Sequence, residues 1–125
     1  MINIPQNLKY TKTHEWVKID GNRAKIGITD FAQHEITDIV HVELPEMYRQ
    51  VKKSQSVSVI ESVKSAFDIY TPLSGKIIGV NNAVLENPEI VNQSPYENGY
   101  LFLIEFIDTK ELDDLLDVDD YKKLI

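Results

Sequence analysis

No cysteine occurs among the 125 residues. Disulfides and thiolate-based zinc sites are thereby excluded. Any redox or thiol chemistry must come from a bound or attached group. A chain carrying a dithiol group also gains from lacking thiols of its own, which would exchange into mixed disulfides. Glycine is scarce, with five widely spaced residues, and no Gly-rich loop for phosphate is present. A Gly-x-Ser-x-Gly nucleophile elbow is missing too. His14, His34 and His41 are not spaced as a helical zinc pair, so no metal site is expected. These absences point away from an autonomous enzyme. No apolar run is long enough for a bilayer span. The opening Met1-Ile2-Asn3-Ile4-Pro5 has neither the charged and apolar regions of a signal peptide nor the Arg and Ser of a transit peptide.

What is present suits a folded carrier or binding module better. Hydrophobic residues make up 42% of the chain, too many for disorder. The length favours one domain over 1–125. A net charge of −7 argues against a nucleic acid or an anionic membrane as the main partner. Acidic residues crowd the C-terminus at Asp108, Glu111, Asp113, Asp114, Asp117, Asp119 and Asp120. An acidic helix over about 108–124 is expected there, with Leu112, Leu115, Leu116, Tyr121 and Leu124 as its inner stripe. Its outer face is either simply solvated or a docking surface for a basic partner.

Most of the chain reads as short strands. Val17 and Ile19 alternate with Trp16 and Lys18, Asp20-Gly21 marks a hairpin, and Ala24, Ile26 and Ile28 line one face of the return strand. Asp30, with Gln33 three residues on, reads as the capping box of a short helix. Val40, Val42 and Leu44 alternate with His41 and Glu43 up to Pro45. Val57 and Val59, then Phe67 and Ile69, suggest two strands around the tight turn Ser62-Val63-Lys64-Ser65. No Gly or Asn supplies a positive φ in that turn. Gly75 opens a strand to Val80, Ala83 to Glu86 forms a helical turn ending at Asn87-Pro88, and Leu101 to Phe106 is a buried strand. The pattern as a whole predicts a mainly β sandwich or barrel-like domain with small helices.

Lys64 is the candidate functional residue. A lysine in a turn is ordinarily just solvated. A carrier, however, needs a primary amine at an exposed tip, where another enzyme can acylate it and the arm can swing. A hairpin on a rigid β scaffold meets that need.

Several colinear blocks carry a resemblance to a known family. Val59-Ile60-Glu61-Ser62-Val63-Lys64-Ser65 resembles the lipoylation motif of the H proteins of the glycine cleavage system. Leu8 to Val17, Ile26 to Gln33, Asp38 to Pro45, Asp68 to Gly75, Asn87 to Asn92 and Ser94 to Leu101 resemble the family's other blocks, in order. The resemblance implies a barrel-sandwich hybrid of the lipoyl/biotinyl type. It implies lipoate in amide linkage to Lys64; biotin carriers flank their lysine with methionine, unlike Val63 and Ser65. Glu61 and Gly75 are implied in recognition by the lipoylating enzyme, Gly75 by letting the neighbouring backbone bend. Thr13, Glu15 and Asp68 match the cleft that receives the loaded arm.

The implied role is a non-catalytic shuttle. It takes an aminomethyl group from glycine decarboxylase (the P protein) to the aminomethyltransferase (the T protein), and electrons to dihydrolipoamide dehydrogenase (the L protein). A monomer is expected, in the cytoplasm of a bacterium or, after loss of a transit peptide, in the mitochondrial matrix. Two alternatives are an H-like lipoate relay or regulatory carrier outside glycine cleavage, and an interaction module whose Lys64 stays bare. The chain departs from the family at Thr37, Ser58 and Met47-Tyr48-Arg49, where Gly is usual. Phe67 stands where a small residue is common, and Tyr100 where Trp is frequent.

Overall fold

The computed structural model describes residues 2–125. Two antiparallel sheets enclose one apolar core. The larger has the strand order β1-β2-β3-β9-β8-β5, built from β1 (Lys9–Tyr10), β2 (Glu15–Asp20), β3 (Arg23–Ile28), β5 (Gln50–Val51), β8 (Gly75–Val80) and β9 (Phe102–Phe106). The smaller is β4-β6-β7, from β4 (Ile39–Glu43), β6 (Ser56–Ser62) and β7 (Ala66–Tyr70). Ile26, Ile77 and Ile104 of the large sheet pack with Val42, Ile60 and Ile69 of the small one in a single buried cluster. The expected barrel-sandwich architecture is present, with short helices α1 (Asp30–Ile36), α2 (Ala83–Glu86) and α3 (Ile90–Gln93) at its edges. No helix of the described residues is long and apolar enough to cross a membrane.

The Asp20-Gly21 signal holds: Asp20 pairs with Arg23, and Gly21 takes φ 62°, a conformation that costs glycine little. Trp16, expected on the polar face of β2, is fully buried. It belongs to a second cluster with Leu8, Tyr10 and Tyr121, and its indole N–H donates to the Pro95 carbonyl at 2.9 Å. The first half of β2 is therefore covered on both faces, which alternation alone does not reveal.

Other departures have local causes. The cap of α1 is Thr29, whose hydroxyl accepts from the Ala32 amide at 3.2 Å. Asp30 instead sits in the first turn and accepts from the Gln33 side chain at 2.7 Å. Thr, already extended at φ −74° and ψ 164°, has the backbone a cap requires. A bulge between Ile39 and His41 turns Val40 out to 53% exposure and buries Ile39 and Val42. A second irregularity, between Ser56 and Ser58, shifts the phase of β6, so that Val57, Ser58 and Ile60 are buried rather than Val57 and Val59 alone.

The expected C-terminal helix over 108–124 is in fact two pieces. A 3-10 turn, Thr109–Asp114, is capped by Asp108, and helix α4, Val118–Leu124, is capped by Asp117. Between them Leu116 exchanges both backbone hydrogen bonds with Tyr10, at 2.7 and 2.8 Å. That pairing fixes an extended residue where a continuous helix would need a helical one. Leu112 and Leu115 pack against the main core, Leu116 and Tyr121 join the second cluster, and Leu124 is exposed. Several of the acidic residues have structural partners. Glu111 accepts from the Ser74 amide and hydroxyl, both at 2.7 Å, and Asp114 pairs with Lys53.

Two of the positions where the family usually has glycine now have a visible cost. Thr37 takes φ 70° and ψ −145° at the end of α1, and Tyr48 takes φ 66°. A β-branched residue fits the first of these poorly. Thr37→Gly is expected to stabilise the protein by about 1 kcal/mol, the relief of strain exceeding the extra chain entropy of glycine. Urea melts of the two proteins check this, through a higher midpoint at unchanged slope.

Candidate functional site: the β6–β7 hairpin and the adjoining depressions

Strands β6 and β7 converge on the turn holding Lys64. Glu61 pairs with Ala66 across the ladder, and the Ser62 amide donates to the Ser65 carbonyl at 2.9 Å. The Ser62 hydroxyl accepts from the amides of Lys64 and Ser65, at 3.3 and 3.2 Å. A side-chain oxygen thus closes the turn, a role serine commonly plays. None of the turn residues has a positive φ, so no Gly or Asn was needed. Val63 is 79% exposed beside an exposed Lys64. Among the described residues the Lys64 ammonium has no ion-pair partner. A free amine on a turn held from beneath fits amide attachment of a carboxylic acid such as lipoate.

Glu61 is half-buried on β6, three residues before Lys64. Gly75 lies on the other sheet, between Val51 and Phe106. Gly75 lacks a positive φ, and a Cβ there would lie 2.0 Å from the Glu105 carbonyl oxygen. Its first contribution is the close approach of β8 to β9.

Thr13, Glu15 and Asp68 are only partly brought together. Glu15 is 1% exposed. Its carboxylate accepts from the hydroxyls of Thr11 and Thr13, both at 2.5 Å, and from the Tyr70 amide at 3.3 Å. Burial raises its pKa above the ordinary glutamate value, and these donors oppose the rise. Thr11, Thr13 and Glu15 line a depression of about 380 Å³ with Lys53, Tyr70 and Asp114. Asp68 lines a neighbouring depression of about 240 Å³ with His14, Phe31 and Phe67, and accepts from the Ser56 hydroxyl at 3.0 Å. Thr13 lines both. The large Phe67 forms part of the wall nearest the hairpin.

Two groups escaped the sequence reading. His14, considered only as a metal ligand, has φ 72° and bonds the Tyr121 hydroxyl through Nδ1 at 2.8 Å. Burial pushes its pKa below the usual imidazole value, against the charge of Glu35. Tyr121 itself bonds Thr29 at 2.7 Å and is pushed up to about 12 by burial. No sequence signal marks this network, because its members lie 107 residues apart. His41, Glu43 and Glu61 also come together on the solvent face of β4 and β6.

Comparison with known proteins agrees with this geometry. The profile of the family described as glycine cleavage H-protein matches residues 8–125. A glycine cleavage system H protein of Endomicrobium trichonymphae is 74% identical over 124 residues, covering 99% of this chain and all 100% of its own. One from Halothermothrix orenii is 48% identical, covering 99% and 97%. The crystal structure of a glycine cleavage system H protein from Mycobacterium marinum superposes with a TM-score of 0.85 at 31% identity, over 96% of this chain and 97% of that one. Sequence blocks, sheet order and full-length similarity converge: the chain belongs to the glycine cleavage H-protein family.

Proposed function

We propose that this protein is the lipoyl-carrying shuttle of the glycine cleavage system, with lipoate in amide linkage to Lys64. The observation that carries the reading is the free, exposed Lys64 amine on a turn braced by Ser62, at the tip of a two-sheet scaffold. The bound lipoyl group supplies a dithiol–disulfide couple that accepts the aminomethyl cargo and two electrons. The chain's own residues present and protect. The rigid ladder of β6 and β7 aims the arm, while the exposed tip admits each partner in turn. Glu61 offers a carboxylate beside the tip to the lipoylating enzyme. Glu15, held by Thr11 and Thr13, offers a buried carboxylate to a cationic amine, and Asp68 a second one in the adjoining depression. The partners are glycine decarboxylase, the aminomethyltransferase, dihydrolipoamide dehydrogenase and the lipoylating enzyme. In a bacterial cell all would share the cytoplasm. The chain acts as a single-domain monomer and leaves the bond-making to those enzymes.

Intact mass and peptide mapping of the protein from its native host test the attachment. One lipoyl amide on Lys64 is the expected result. A bare Lys64 in cells that lipoylate their other carriers overturns the reading.

A further inference from the structure

We propose that His41, Glu43 and Glu61 form a divalent-cation site of the zinc type on the outer face of the small sheet. The register of that sheet creates the cluster. His41 lies directly opposite Glu61, and Glu43, two residues along β4, projects to the same side. One ligand atom from each comes within 4.8 Å of the others. The two carboxylates carry like charge at close range, and no lysine or arginine of the described residues pairs with them. None of the three side chains has a hydrogen-bond partner among the described residues that a cation would have to displace. In a tetrahedral zinc site, donors about 2.0–2.1 Å from the metal lie about 3.4 Å from one another. Exposed side chains on neighbouring strands reach that spacing by small rotations. An imidazole with two carboxylates selects zinc-class ions over magnesium or calcium, which prefer all-oxygen cages, and three protein ligands leave a fourth position open. The register over the three residues is regular, His41 opposite Glu61, Val42 opposite Ile60 and Glu43 opposite Val59, so the cluster does not depend on the bulge that precedes it.

The site shares Glu61 with the surface offered to the lipoylating enzyme, but it does not require the lipoyl group. Isothermal titration of the full, tag-free chain with zinc chloride tests it, with circular dichroism to confirm the fold of each variant. One equivalent of zinc is expected to bind. His41→Ala and Glu43→Gln should each weaken binding about tenfold or more. His34→Ala is the control, since His34 approaches Asp30 at 3.7 Å and is the other histidine–carboxylate pair; it should leave binding unchanged. Absence of saturable binding, or binding equal to wild type in folded His41→Ala, overturns the proposal. So does loss of binding in His34→Ala.

Discussion

With Lys64→Arg, glycine cleavage reconstituted from the purified components is expected to fall to the level seen with no carrier added, while the protein melts as the parent does. Both halves follow from the turn. Lys64 is exposed and has no ion-pair partner among the described residues, so its replacement should change stability by less than about 0.5 kcal/mol. Arginine keeps the charge and much of the length, yet its guanidinium stays protonated and cannot be acylated. A defect in folding or in electrostatic docking is thereby separated from loss of the attachment point. Incubation with the lipoylating enzyme followed by mass analysis is the direct check. A lipoyl group taken up on another lysine, or retained activity, would show that the tip is not the carrier site.

The second large effect is expected at Glu15. In Glu15→Gln the aminomethyl cargo should be lost from the loaded protein about 10 to 100 times faster, because a charge-assisted contact contributes about 1.5–3 kcal/mol and its neutral counterpart less. An unchanged rate of loss would remove Glu15 from the protective role. The same variant should also change how stability depends on pH. Burial raises the folded-state pKa of Glu15 above its unfolded value. Its contribution is therefore fully present below the unfolded value and is lost as pH rises through the folded one. Glutamine does not titrate, so the variant should lack this decline in the weakly acidic range. Parallel urea melts across that range measure it, and identical pH profiles would mean that the carboxylate is not perturbed.

Much of this fold is legible because its strands are short and amphipathic. The hairpin at Asp20-Gly21, the turn at Lys64 and the helical stop at Asn87-Pro88 each rest on local chemistry that tertiary contacts do not override. Bulges are different. An extra residue in β4 or β6 depends on the partner strand, so Val40 looked internal by alternation and is in fact exposed. The C-terminal segment misled for a related reason. Its leucines have helical spacing, but Leu116 is claimed by Tyr10, more than a hundred residues away in sequence. Sites divide the same way. Lys64 and Glu61 sit in one contiguous motif and could be read directly. The burial of Glu15 depends on residues such as Tyr70 that fold over it, and the His41–Glu43–Glu61 set exists only across a strand pair. Gly75 was singled out, but the reason, the nearby Glu105 carbonyl, needed coordinates.

The pairing of Tyr10 with Leu116, and the stacking of Tyr10 on Tyr121 with ring centres 4.7 Å apart, also bear on synthesis at the ribosome. The first strand of the large sheet pairs with β2 on one edge, but its other edge and the Tyr10 ring are met only by Leu116 and Tyr121, about a hundred residues later. A nascent chain therefore cannot bury Tyr10 or Trp16 fully while residues 116–121 remain in the exit tunnel. This part of the fold must wait for residues 116–121 rather than form progressively from the leading end. During that interval the aromatic cluster is open to chaperones, and a premature stop ahead of helix α4 would leave it open for good.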